Sequence, residues 1–336
     1  MNKFSVSNLM SLSICIPTYN RPEIFNLLRS ISFLCSENIS IIVSDNNSSI
    51  YSASEFIHQV RAINPAIIAV RQDSNLGYSG NILALVSLAK SEWLTFLMSD
   101  DTLILSNFIE LVQNIQPSDQ LIFSNGRSQY CANNWKAKFK NFLLFLNSNF
   151  NIFLFKMLNR RDSHSPAVYI SNVQMQRLWG LYLFLPYPAL PNAIFVRTKI
   201  LKRVVNSQLF LDIYGQIRSS GHCLDFLLLI LAAKEASLVK LNFNPTYELL
   251  KHDNNAQNKI KENAPYQLEI DRYLIRRVID KSNILTRLSI IPRFRLLASW
   301  CLSNDPMRPL LAIQSAKREL TYAIKNINPK PKVKFY

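Results

Sequence analysis

The stretch LMSDDTL, residues 97–103, sets Asp100 and Asp101 side by side directly after the apolar run WLTFLM at 93–98. Two neighbouring carboxylates repel, so in a pocket such a pair either shares a proton or gains a cation. A turn or a helix cap is the everyday use of Asp. Where a cation is held, an Arg can supply the charge, but a hard divalent ion is the commoner solution. Mg²⁺ takes only one or two protein carboxylates and shares itself with phosphate oxygens. There it acts as a Lewis acid toward a departing diphosphate.

Two further polar clusters, PTYN at 17–20 and SDNNS at 44–48, also follow apolar runs. The runs LSICIPTYN (12–20), ISIIVSDNNSS (39–49), AIIAVRQ (66–72) and WLTFLM (93–98) read as strands. Between them, Ile24, Leu27, Leu28 and Ile31 predict an amphipathic helix within 22–35, and 52–62 and 80–91 predict two more. Alternating strands and helices imply a mostly parallel sheet covered on both faces. Ligands bind such sheets beyond the carboxyl ends of the strands, where all three clusters fall.

With 336 residues, 49% of them hydrophobic, the chain can bury a large core as one domain or one domain with an extension. The five cysteines, Cys15, Cys35, Cys131, Cys223 and Cys301, are odd in number and widely spaced. With no charged and apolar leader at the N-terminus, they suggest a reducing cytosol with neither a disulfide framework nor a thiolate metal site. None of the six glycines forms GxGxxG or GxxxxGK, which disfavours a dinucleotide fold or a P-loop.

Together the clusters resemble the family 2 glycosyltransferases of the GT-A fold. The resemblance rests on Pro17-Thr18-Tyr19-Asn20-Arg21, Ser44-Asp45-Asn46-Asn47-Ser48, Asn75-Leu76-Gly77 with Asn81, and Ser99-Asp100-Asp101, in that order over residues 11–125. It implies an α/β GT-A (Rossmann-like) domain over 1–255, with a mixed, mostly parallel sheet flanked by helices. The nucleotide-sugar half would be 1–126 and the acceptor half 127–255, followed by a basic helical C-terminal region at 256–336. By the resemblance, Pro17, Thr18, Tyr19 and Arg21 line the nucleotide pocket and Asp45 accepts from the base. Asn75 and Gly77 shape a turn that lets the sugar approach the backbone, and Asn81 belongs to the nucleotide-sugar-binding residues. Asp100 approaches the sugar or its ribose, and Asp101 holds Mn²⁺ or Mg²⁺. The chemistry agrees, since a carboxylate accepts equally from a pyrimidine or a purine N–H, and Gly permits close backbone approach.

Inverting members carry an acidic pair before an apolar helix, one carboxylate taking the acceptor proton. Here the matching stretch is Gly221-His222-Cys223-Leu224-Asp225-Phe226, followed by LLLILAAKEASLVKL, so the pair has become a His and a lone Asp. Asp225 is the base candidate, with His222 the alternative and a helix N-terminal charge the non-catalytic reading. A retaining enzyme needs no such base. His252, in the loop after NPTYELLK, is similar to a family His that reaches the metal or diphosphate.

Charge divides the chain, with 6 Lys/Arg against 10 Asp/Glu over residues 1–126 (net −4) and 32 against 12 over 127–336 (net +20). Residues 136–161 hold six Lys/Arg, no acidic residue and six phenylalanines, and 251–336 add 17 basic residues against 7 acidic. The apolar runs in 136–161 fall short of the about 20 residues a transmembrane helix needs. Basic and aromatic residues together fit an interfacial segment on anionic lipid, or a core helix with a basic outer face. Nucleic acid ranks lower, because no recognition motif is present. Together with these features, the resemblance implies a peripheral protein at the cytoplasmic face of a bacterial inner membrane. Its donor would be a nucleotide-diphosphate sugar and its acceptor a polyprenyl-diphosphate-linked oligosaccharide. Within the family, YNRPE, SDNNS and MSDD look most like O-antigen transferases for dideoxyhexoses such as abequose. A nucleic-acid-binding protein and an inactive membrane-tethering scaffold are the alternatives.

Overall fold

The computed structural model describes residues 10–130, 167–171, 194–215 and 224–251. All lie in one compact unit of the chain, residues 1–175 and 188–275. His222, His252, the segment 136–161 and the region 256–336 lie outside the described residues, as does the second unit, residues 176–187 and 276–336.

In the first third, β1 (Leu12–Thr18), β2 (Ile39–Asp45), β3 (Ile68–Arg71) and β4 (Trp93–Phe96) pair in parallel in the order β3-β2-β1-β4. Later in the chain come β5 (Thr102–Leu103), β6 (Leu121–Tyr130), β7 (Ala167–Ser171), β8 (Ile194–Arg197) and β9 (Leu238–Lys251). They extend the sheet beyond β4 in the order β8-β6-β9-β5, with β7 also on β9. β6 and β9 pair in parallel, whereas β8 runs antiparallel to both β4 and β6. The sheet is therefore mixed and, by length of paired strand, mostly parallel.

Alternation along β1 assigns the layers. Leu12, Ile14 and Ile16 enter the main core with Ile24, Leu28 and Ile31 of α1 (Ile24–Ile31) and Phe56 and Val60 of α2 (Ala53–Ile63). Cys15 points to the opposite face, its thiol 3.9 Å from the Leu85 carbonyl of α3 (Gly77–Leu88). Each fully buried Leu or Ile contributes about 1.5–3 kcal/mol, so both faces are held by apolar burial. Phe108 of α4 (Leu105–Gln113) joins the first face. On the other, α5 (Thr198–Val205) packs on α3, and α6 (Gln208–Tyr214) and α7 (Leu224–Glu235) pack with α5.

Two boundaries differ from the sequence reading. Helix α3 starts at Gly77 rather than at 80, because the Asn75 side chain accepts the Gly77 N–H at 2.8 Å and turns the chain into the helix. Gly77 sits at φ +70°, where an L side chain is strained whatever the space around it. Further on, LVKL, read as the tail of a helix, begins β9 instead. Helix α7 stops at Glu235, and Val239 pairs in parallel with Leu121 of β6 while the Lys240 ammonium makes a buried ion pair with Asp119 at 3.1 Å. Strand pairing and this ion pair outweigh the helical propensity of the run.

Pro17 marks where the sheet opens. The Cys15 carbonyl accepts from Leu97 N on the β4 side at 3.0 Å, so the nitrogen two residues on faces that side too. Proline cannot donate there, and β1–β4 pairing ends at Cys15 and Phe96. From β1 the chain runs outward to β2 and β3 on one side and then crosses back to β4 on the other, which makes the carboxyl ends of β1 and β4 a switch-point crevice.

Candidate active site

Hydrogen bonds between loops draw the polar clusters together at this edge. Asn20, left-handed at φ 51°, donates its N–H to Ser48 Oγ at 2.7 Å and accepts Ser49 N–H on its side chain at 2.8 Å. Asn tolerates that conformation better than other non-glycine residues. Asn46 then bridges onward, donating from Nδ2 to Asn75 Oδ1 at 2.8 Å and accepting the Leu76 N–H at 2.9 Å. Thus PTYNR, SDNNS and NLG form one interlocked rim. Arg21 reaches the fourth cluster, 3.5 Å from Asp100. The Tyr78 hydroxyl approaches the Met98 sulfur at 3.7 Å, linking the start of α3 to the strand end before Ser99.

Asp45 occupies the end of β2 and is fully buried. Its carboxylate accepts the Ser48 N–H at 3.0 Å, the Ser48 hydroxyl, the Tyr51 hydroxyl at 3.4 Å and the Arg71 guanidinium at 3.0 Å. Burial, chiefly, and the Asp45 charge push the Tyr51 phenol above its ordinary pKa, with the Ser48 hydroxyl acting the other way. Tyr51 therefore stays a donor. Arg71, placed opposite Asp45 in the β2–β3 register, also donates to the carbonyls of Tyr51 and Ser48 and to Asn47 Oδ1, at 2.9, 2.7 and 2.9 Å. The donors found on Asp45 come from the loop after β2 and from β3.

Asn81, expected among the nucleotide-sugar-binding residues, forms a strut between α3 and β2. It is 2% exposed, it donates to the Ser44 carbonyl at 3.0 Å and it accepts the Ser44 hydroxyl at 2.6 Å. Both ends of its amide thus tie α3 to β2. Pro17 and Thr18 are buried at the end of β1, whereas the Tyr19 ring is exposed above the rim.

LMSDDTL turns out to contain a turn, with the Asp101 N–H donating to the Met98 carbonyl at 3.1 Å. The two carboxylates take separate environments. Asp100 is about one-third exposed beside Arg21, and Asp101 is 6% exposed beneath it. Tyr247 of β9 is also buried, near Asp101.

The remaining catalytic candidate, Asp225, is the second residue of α7. Residues 236–237 turn the chain from α7 back into β9, so the first turn of α7 lies about 18 Å along the helix toward the carboxyl edge of the parallel strands.

The residues missed by sequence reasoning are Ser48, Tyr51, Arg71 and Tyr247. Arg71 stands in an ordinary strand pattern, and only the parallel β2–β3 register puts it across from Asp45.

Residues 13–177 match the family model described as glycosyl transferase family 2. The chain is similar to that family over this stretch, which contains all four polar clusters. Over 97 residues the chain is 41% identical to abequosyltransferase RfbV of Salmonella typhimurium strain LT2; the match covers 28% of this chain and 29% of that relative's length. Two solved structures align at low identity. S. aureus TarS 1–349 in complex with UDP-GlcNAc is 14% identical over 94% of this chain and 90% of that one, with a TM-score of 0.47. Mannosyltransferase PcManGT from Pyrobaculum calidifontis, in complex with GDP-Man and Mn²⁺, is 11% identical over 95% and 84%, with a TM-score of 0.48.

Proposed function

We propose that the protein moves a sugar from a nucleoside-diphosphate donor onto a polyprenyl-diphosphate-linked oligosaccharide in O-antigen or related surface-polysaccharide synthesis. The observation that carries this reading is the convergence of four polar clusters at the β1/β4 switch point, with the Asp101 carboxylate buried among them. The partial identity to RfbV supports a dideoxyhexose such as abequose as the sugar.

Each residue then has a role. The exposed Tyr19 ring offers a face to the base. Asp45 holds the base-side loop, and a base N–H takes the place of its longest contact, Tyr51 at 3.4 Å. Asp100 meets the ribose or the sugar, held by Arg21. Asp101 would hold a divalent cation, Mn²⁺ or Mg²⁺, since a nearly buried carboxylate suits a hard ion shared with a diphosphate. Such an ion would supply Lewis-acid stabilisation of the leaving diphosphate. His252 would be a further residue to hold the ion or the diphosphate.

In the transfer itself, the acceptor hydroxyl oxygen forms a bond to the anomeric carbon while the bond from that carbon to the diphosphate oxygen breaks. The hydroxyl proton passes to Asp225, or to His222 if the His serves as base. The nucleoside diphosphate leaves with the electron pair.

The experiment that tests this reading is calorimetric titration of UDP, GDP, CDP and dTDP with and without Mn²⁺, on the wild type and on Asp101→Ala. Binding of one nucleotide that requires the metal and disappears in the variant is expected. If no nucleotide binds the wild type, the donor reading is wrong.

The acceptor carries an anionic head and an apolar tail, and the basic, aromatic segment 136–161 suits such a partner at the cytoplasmic face of the inner membrane. Among the described residues, no helix is long and apolar enough to cross a membrane. Sedimentation with vesicles containing phosphatidylglycerol is expected to carry down the protein. Replacing Lys136, Lys138, Lys140, Lys156, Arg160 and Arg161 by Gln is expected to leave most of it in the supernatant. Equal sedimentation of both proteins would falsify the role of this segment.

A further inference from the structure

Tyr247 is 1% exposed, yet its hydroxyl has no hydrogen-bond partner among the described residues. A buried hydroxyl without a partner carries a desolvation cost that a phenylalanine of nearly the same shape would avoid. A phenol at neutral pH is a proton donor, and the Asp101 carboxylate lies close to it.

The sheet register explains the proximity. β5 and β9 run antiparallel with Leu103 opposite Tyr247 and Thr102 opposite Glu248. Residues directly opposite share a face, and so do residues two apart along a strand, which puts Asp101, Leu103 and Tyr247 on one side. Asp101 directly precedes β5 and is the diagonal neighbour of Tyr247, at the roughly 7–8 Å that aromatic side chains can bridge. The backbone around Tyr247 is tied down on both flanks. Ile104 N donates to the Thr246 carbonyl at 2.9 Å, the Thr246 hydroxyl bonds to Ser124 Oγ at 2.8 Å, and Asn107 Nδ2 donates to the Pro245 carbonyl at 2.8 Å.

We infer that Tyr247 is a positioning residue for Asp101. With a divalent cation bound, one Asp101 oxygen would hold the ion while the Tyr247 hydroxyl would donate to the other and fix the carboxylate's orientation. The inference rests on the nucleotide-sugar reading of this site. It also gives β9 a function, since the strand sets the depth of the carboxylate through its pairing with β5. Outer hydrogen bonds of this kind set how well a carboxylate holds its ion.

The test is Tyr247→Phe in the full-length chain, followed by thermal denaturation without metal and by calorimetry with UDP, GDP, CDP and dTDP, each with and without Mn²⁺. We expect an unchanged or raised melting temperature and a loss of about tenfold in the Mn²⁺-dependent affinity. Unchanged Mn²⁺-dependent affinity would mean that the hydroxyl is idle and overturns the inference. So does a lowered melting temperature accompanying the loss of affinity, which would make Tyr247 a packing residue. If the wild type itself binds no nucleotide in a Mn²⁺-dependent way, the reading of the site fails and the inference fails with it. That outcome is told apart by the wild-type titration alone.

Discussion

Arg71→Ala is expected to lower stability by about 3–5 kcal/mol and the melting temperature by about 10 °C, because it leaves a buried carboxylate without its counter-charge. The wild-type pair is well shielded, with the Arg71 side chain 15% exposed and that of Asp45 0%. Ser48 and Tyr51 would remain as donors to Asp45, but neither carries a positive charge. The same substitution unties the loop between β2 and α2 at three acceptors, the Tyr51 and Ser48 carbonyls and Asn47 Oδ1. Nucleotide affinity should therefore fall along with stability.

A double variant, Asp45→Asn with Arg71→Met, should regain part of the stability, since no charge is then left buried and unpaired. Regaining stability without nucleotide binding would separate the ion pair's structural part from the loop's part in recognition. Thermal denaturation of the three proteins decides the first point. A loss below about 1 kcal/mol in Arg71→Ala, typical of an exposed pair, would show that solvent already screens this one.

The second large effect concerns the transfer step. Asp225→Asn is expected to reduce kcat by about 10²–10⁴-fold, the usual contribution of a positioned general base, with donor affinity unchanged. The substitution keeps size and most of the polarity but removes the site that takes the proton. Its place in the first turn of α7 makes a structural role the competing account, because a carboxylate there also stabilises the helix. The two accounts differ in what they move. A helix-end role lowers the melting temperature by a small amount and spares kcat, whereas a base role spares the melting temperature and lowers kcat. Single-turnover rates beside a melting curve distinguish them, and a near-normal rate removes Asp225 from the chemistry. Attention then passes to His222, or to a retaining course that needs no base.

Much of the first third was readable because its patterns are local. The apolar runs ending in Thr18, Asp45 and Phe96 became parallel strands, and the helices between them formed within a few residues of their expected ends. Alternating burial along β1 is visible as the spacing of Leu12, Ile14 and Ile16, and it needs no knowledge of distant partners. The clusters after the strands were equally legible, since any mostly parallel sheet brings strand carboxyl ends to one edge. LVKL was misread for the complementary reason. Its neighbours in the chain favour helix, and its partner Leu121 lies more than a hundred residues earlier.

From the order of its residues alone, this chain sets an α/β sheet, the edge where chemistry belongs, and a pair of aspartates at that edge. Tertiary structure decides how those side chains are employed. The pairing of β2 with β3 turns Arg71 toward Asp45, and Asn81 is drawn into α3–β2 packing. The pairing of β5 with β9 gives Asp101 a buried tyrosine as neighbour while Asp100 remains beside Arg21. The physical reason is one of range. Strand and helix periodicity is set by neighbours a few residues apart, whereas a carboxylate's partners are set by sheet register between segments up to about 150 residues apart, a distance no local pattern spans.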